Sequence, residues 1–292
     1  MSPLGRPKGE YRSAKHEGTP VSTPPTADPA LHVLHMLRLL PDLAVLGRWA
    51  AATGQRALRD DLGYALHAAL RATLGALAPQ PFALLQRPGS LQVIGYSTQA
   101  AADIQRALEM AAVSDPVAAR ALGLLPGQDP LIKPMPQDWR AGQRLSFEAR
   151  VAPVVRSRLA GASSGGGYPE IDAAFHPAYC GECPGDRESA HRRWLAQELA
   201  RGQAATLLSC RATAFQLTPI ARRSGRPAAA ASATMAGTSR ATSSGLLPDL
   251  TVRGQMTIDN PAAFQHLLAR GLGRHRSFGF GCLLLAPPGA WT

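Results

Sequence analysis

Lysine is almost absent from this chain. Among its 31 basic residues only Lys8, Lys15 and Lys133 are lysines, so a formal net charge of +11 rests almost wholly on arginine. A guanidinium offers a planar fork of donors that matches phosphate oxygens and stacks on bases, so the balance points to a polyanionic partner, RNA first. The chain is also rich in Ala, Gly and Pro, a genome-level bias that favours arginine by itself; net charge is therefore the firmer half of the argument. Cysteine is scarce as well. Four of them, Cys180, Cys183, Cys210 and Cys282, in 292 residues exclude a disulfide framework. Long apolar runs are missing: the N-terminus has no apolar signal core and no stretch reaches the length of a membrane span, so a cytoplasmic protein without a membrane partner is expected.

What is present is concentrated near the carboxyl end, in Gly271-Leu272-Gly273-Arg274-His275-Arg276-Ser277-Phe278-Gly279-Phe280-Gly281. Four glycines with three potential cations suit a loop whose backbone approaches a polyanion while its side chains neutralise it. A dinucleotide fingerprint would need glycine where Arg276 stands and a helix next, whereas the apolar run Cys282-Leu283-Leu284-Leu285 follows. The P-loop pattern fails for want of Gly-Lys-Ser/Thr. The loop therefore joins a short helix, Pro261 to Arg270 with Asn260 as N-cap, to a closing strand.

This arrangement, preceded by the strand Val252 to Ile258, resembles the C-terminus of the CRISPR repeat-cleaving endoribonucleases of the RAMP superfamily, especially the CasE-like proteins of type I-E systems and their type IV counterparts. The resemblance implies an α+β fold of tandem ferredoxin-like (RRM-like) halves and RNA contact by the loop residues Gly271, Gly273, Arg274, His275, Arg276, Ser277, Gly279 and Gly281.

Apolar patterning agrees with such an order. Residues 1–28 lack apolar periodicity and read as a disordered tail. A strand over 31–40 leads into a helix opened by Asp42, with Leu43, Leu46, Trp49 and Ala50 on one face and Gly54 as its stop; a second helix runs from 61 to 77. Residues 81–86 and 91–97 form a hairpin, and a helix follows over 98–112. Pro/Gly-rich 115–139 reads as the passage to the second half, placing an N-terminal half at 29–142 and a C-terminal half at 143–292. The strand 145–158 is interrupted at Pro153; spacing puts Arg144, Arg150, Arg156 and Arg158 on one face as an RNA-contacting surface. Within the second half, an insertion at about 160–203 carries a helix bearing Arg192, Arg193 and Arg201, suited to gripping a duplex stem, and 222–245 is a low-complexity loop.

The second helix places Tyr64 and His67 on neighbouring positions of one face. CasE-like enzymes carry a Tyr-x-x-His at the corresponding place and use the histidine in cleavage. The resemblance thus implies an endoribonuclease that binds the repeat hairpin and matures crRNA without metal or other cofactor, by attack of the ribose 2′-hydroxyl on the adjacent phosphate. His67 would act as general acid or base, Tyr64 would position or share the proton, and Arg38 with the loop cations would stabilise charge. The chain departs from the CasE pattern in its longer middle, its alanine-rich loop and its lack of lysine near the proposed site, which keeps open an arginine-based site centred on Arg38. Other subunits of a multiprotein CRISPR effector complex are expected partners. The rival reading is a non-catalytic subunit that holds the crRNA hairpin. A separate constellation, His176, Cys180, Cys183 and His191, has a Cys-x-x-Cys knuckle suited to zinc, but the second pair lacks a standard spacing and the resemblance implies no metal.

Overall fold

The computed structural model describes residues 33–54, 62–87, 90–124, 130–157, 169–181, 186–223 and 242–290. The N-terminal tail, Arg158, the glycine-serine run 161–167, Cys183 and the middle of the 222–245 loop lie outside them.

The first half begins with β1 (His35–Leu39), whose Leu37 and Leu39 are buried while Arg38 between them is exposed. Asp42 then caps α1 (Leu43–Ala52) by accepting from the amides of Ala44 and Val45 at 2.9 and 3.0 Å. Its buried stripe is Val45, Leu46, Trp49 and Ala50; Leu43, expected on that face, is exposed in the first turn. Helix α2 (Leu62–Leu74) follows, extended by a 3₁₀ turn over Gly75–Leu77. The hairpin is β2 (Phe82–Arg87) and β3 (Ser90–Ser97), and α3 (Ala101–Ser114) packs through Ile104, Leu108 and Ala111, with Met110 turned outward.

The passage expected over 115–139 is more ordered than its composition suggests. Asp115 caps α4 (Pro116–Ala121), with Pro116 at the first position, and β4 (Leu131–Pro134) pairs antiparallel with β1, Met36 opposite Lys133. Strand β4 is a short edge strand containing Lys and Pro, which hides it from an alternation test. With it the first sheet has the order β2-β3-β1-β4, all antiparallel, the arrangement of a ferredoxin-like unit.

The second half repeats it. Strands β5 (Arg144–Val151), β8 (Ala205–Arg223), β9 (Thr242–Ile258) and β10 (Leu283–Ala286) form an antiparallel sheet ordered β10-β5-β9-β8, with α6 (Arg187–Ala200) and α7 (Pro261–Arg270) as its helices. A two-stranded sheet, β6 (Val154–Arg156) with β7 (Glu170–Asp172), and a one-turn helix α5 (Pro177–Cys180) lie between β5 and α6. Trp194, Leu195 and Leu199 sink α6 into the same core as Phe147, Val252, Phe264 and Leu268. The arginine-bearing helix expected as part of an insertion is thus the first helix of the second ferredoxin-like unit, with its arginines on the opposite side. Asn260 caps α7 through the Ala263 amide at 3.1 Å, as the sequence predicts.

Strands β5 and β6 belong to different sheets, so Arg144 and Arg150 do not share a face with Arg156: Pro153 ends the ladder instead of merely interrupting it. The halves are tied at the centre, where the buried Tyr96 hydroxyl of β3 donates to the Leu283 carbonyl at 2.6 Å. No helix among the described residues is long and apolar enough to cross a membrane.

Candidate active site

Helix α2 buries Gly63, Leu66, Leu70, Thr73 and Leu74 against the first sheet, which leaves Tyr64 and His67 half-buried along its edge. The 3.6-residue period puts them side by side. What completes the edge comes from the far end of the chain. The glycine-basic loop makes a 3₁₀ turn over Arg276–Phe278, and the Phe278 ring stacks on Tyr64 with centroids 6.0 Å apart and planes 19° from parallel. His67 meets the same ring edge-on at 5.3 Å and 72°. The two motifs singled out separately in the sequence are therefore one site, and Phe278 joins them.

Burial, and then the positive charge of Arg71 one turn along α2, hold His67 below the ordinary imidazole range. A histidine so placed is neutral near pH 7 and ready to accept a proton. Arg38 is not with it. Leu37 and Leu39 face the helices, so alternation puts Arg38 on the opposite face of the sheet, and the grouping of Arg38 with Tyr64 and His67 is corrected accordingly. A cleft of about 940 Å³, lined by Met36, Ile94, Trp139, Glu148, Arg253 and Leu284, also lies away from α2 and includes neither Tyr64 nor His67.

The loop itself is not the exposed ribbon that its composition suggests. Gly271, Gly279 and Gly281 are buried, and Leu272 and Phe280 are core residues. The glycines serve close approach of protein to protein: a Cβ on Gly281 would stand 2.2 Å from the Leu272 carbonyl oxygen, and one on Gly273, where φ is +63°, would stand 2.7 Å from the Trp194 ring. The Gly273 amide, a candidate phosphate donor, donates to the buried Glu198 carboxylate at 3.0 Å. Arg274 and His275 share the carboxylate of Glu170, at 2.6 and 2.7 Å, and Arg276 donates to the Arg270 carbonyl at 2.5 Å. Arg274, Arg276 and Ser277 remain partly exposed, whereas the His275 side chain is 10% exposed.

The other cations called as RNA contacts are dispersed. Arg150 makes a two-pronged ion pair with the buried Asp249 at 2.8 and 2.7 Å and covers the Phe280 ring at 4.3 Å, so it braces β5 against β9 and is not a free phosphate ligand. Burial alone would raise Asp249; Arg150, Gln216 and Thr218 together hold its carboxyl below the usual range. Arg156 is exposed on β6 opposite Glu170. Arg192 and Arg193 are exposed on α6, and the Arg193 Nε donates to the Tyr179 carbonyl at 2.6 Å.

The zinc constellation does not assemble among the described residues. The His176 ring nitrogen caps α5, the His191 Nε2 is paired with Asp172 at 2.7 Å, and no group of three or more histidine, cysteine or acidic side chains there is placed to hold a metal. Sequence reasoning missed Phe278, although it stands inside the quoted motif, and missed Glu170, Glu198 and Arg71. Only Arg71 carried a local signal, four residues after His67 on the same helix face.

Two antiparallel ferredoxin-like sheets, a helix edge bearing Tyr and His, and a glycine-basic loop packed onto that edge define a tandem ferredoxin-like protein. The CRISPR associated protein family model matches residues 34–287, and the chain belongs to that family. Among solved structures it is similar to two of the CRISPR endoribonuclease Cse3 bound to 19 nt RNA, at 18% identity with a TM-score of 0.53 and 16% with 0.54. It is similar also to Thermus thermophilus Cse3 bound to an RNA representing a pre-cleavage complex, at 17% and 0.53. Each comparison covers 87% of this chain and 99–100% of the other. At such identities the likeness is one of fold. No curated protein sequence matches the chain.

Proposed function

We propose that this protein binds the hairpin of a CRISPR repeat transcript and cuts it, without a metal ion, to release mature crRNA. The observation that carries the reading is the meeting of Tyr64 and His67 with Phe278 of the glycine-basic loop. Membership of the family and the RNA-bound state of Cse3 in the similar structures support it.

Neutral His67 accepts the proton of a ribose 2′-hydroxyl as that oxygen bonds to the adjacent phosphorus. The bond from phosphorus to the 5′ oxygen breaks, and that oxygen takes up a proton, leaving a 2′,3′-cyclic phosphate and a 5′-hydroxyl. Tyr64, beside His67, orients the proton path. Arg71, one turn along α2 from His67, and the loop arginines Arg274 and Arg276, on either side of His275 at the turn that bears Phe278, offset the negative charge that builds on the phosphorane oxygens. Arg192 and Arg193 on α6 hold duplex phosphates without reading sequence. The product and the other subunits of a multiprotein effector complex are the partners in this reading.

The purified protein incubated with a repeat hairpin in EDTA should cut at one position, and a 2′-deoxy nucleotide at that position should abolish the cut. Tight binding with intact RNA would instead make the protein a non-catalytic hairpin-holding subunit.

A further inference from the structure

We propose that Glu170 is a positioning residue for this site: by gripping Arg274 and His275 it fixes the loop turn that presents Phe278 to Tyr64 and His67. The inference rests on the reading that Tyr64 and His67 do the cutting. Glu170 lies on β7, far in sequence from both α2 and the loop, and its side chain is 7% exposed. Its two oxygens are used separately: Oε1 accepts from the Arg274 Nε at 2.6 Å and Oε2 meets the His275 Nε2 at 2.7 Å. Charge-assisted bonds from one carboxylate to two successive residues restrain both side chains and the peptide between them.

His275 is the residue that needs restraint. It stands at φ +60°, a conformation that a side chain with a Cβ rarely adopts, and it is one of only two such non-glycine residues among those described. Its carbonyl accepts the Phe278 amide at 2.8 Å, closing the turn, and its ring faces Phe278 at 6.3 Å. Two links therefore separate the Glu170 carboxylate from the ring that His67 packs on. A burial-poor surface carboxylate beside two cations would only weaken attraction for RNA. A buried one that accepts from each in turn holds a shape.

Glu170→Gln separates these roles, since it keeps the size and one acceptor oxygen but removes the charge. The full-length protein, Glu170→Gln, Glu170→Asp, Phe278→Leu and the Glu170→Gln/Phe278→Leu double variant would be compared on a repeat hairpin, with single-turnover cleavage and Kd measured separately. The expected result is cleavage slowed by roughly tenfold or more in Glu170→Gln, because small misplacements of reacting groups are costly in rate. Its RNA affinity should be equal or higher, and Glu170→Asp should recover part of the rate. The double variant should be no slower than the slower single one, because both changes act through one contact. Unchanged cleavage with tighter binding would overturn the proposal, as would additive losses. If the wild type binds RNA and leaves it intact, the cleavage reading itself fails, and the proposal is then judged on the free protein. There the His67 ring resonances in NMR should move on Glu170→Gln and titrate closer to the ordinary histidine range, with Arg71 unchanged beside it. Resonances that stay in place would refute it.

Discussion

Replacing His67 with alanine separates its chemistry from its packing. The packing loss is small: His67 is half-buried and gives up one edge-to-ring contact with Phe278 at 5.3 Å, and aromatic pairs of this kind contribute about 0.5–1.5 kcal/mol. The chemical loss is larger, since a positioned general base typically contributes roughly 10²–10⁴-fold in rate, about 3–5 kcal/mol of barrier. His67→Ala should therefore melt within a few degrees of the wild type, bind the hairpin with similar Kd, and cut it at least about a hundredfold more slowly under single-turnover conditions. The pH profile supplies a second check. Burial and then Arg71 lower the His67 pKa, so cleavage should already be on its upper plateau at neutral pH and fall only as pH drops below the ordinary histidine range. Arg71→Gln should move that limb upward by part of the shift, because burial, the larger cause, remains. The same depression means that the unfolded chain binds the His67 proton first: stability is unaffected above the unfolded value of 6.5 and declines as pH falls below it. His67→Ala should remove that component of the decline. Full cleavage by His67→Ala, or a rate limb above the ordinary histidine range, would refute the assignment.

Three further outcomes follow from the packing and charge. Gly273→Ala places a Cβ 2.7 Å from the Trp194 ring at a left-handed φ, and should lower stability by about 1–3 kcal/mol in chemical denaturation. Asp249→Ala leaves Arg150 without its partner over Phe280 and should cost roughly 3–5 kcal/mol, whereas loss of an exposed pair such as Arg106 with Asp103 should cost under about 1 kcal/mol. Arg192→Ala and Arg193→Ala should each weaken hairpin binding across sequences and lower the slope of log Kd against log salt by about 1; an unchanged slope would remove that residue from the RNA surface.

Those elements whose signals are local could be read from the sequence. Asp42, Asn260 and Pro261 mark helix starts by side chains that accept from nearby amides or lack a donor, and each stands where expected. Strand β4 was hidden because an edge strand needs only one partner and tolerates Lys133 and Pro134, and α4 because its cap Asp115 and Pro116 open a stretch with loop composition. Arginine spacing misled at Pro153, since period-two reasoning holds only while a single strand continues. At the site, Tyr64 and His67 were legible from helical periodicity, and the loop from its glycines, although the use of those glycines was not. Contact with Trp194 and with the Leu272 carbonyl depends on tertiary approach that no local window contains. Glu170 and Glu198 escaped for the same reason: each is an ordinary acidic residue until the loop folds onto it.

The Tyr96 hydroxyl that bonds to the Leu283 carbonyl joins a strand of the first half to the last strand of the second. A chain that stops between residues 67 and 278 has Tyr64 and His67 but not the Phe278 ring that meets both, so the candidate site is assembled only when the last segment docks.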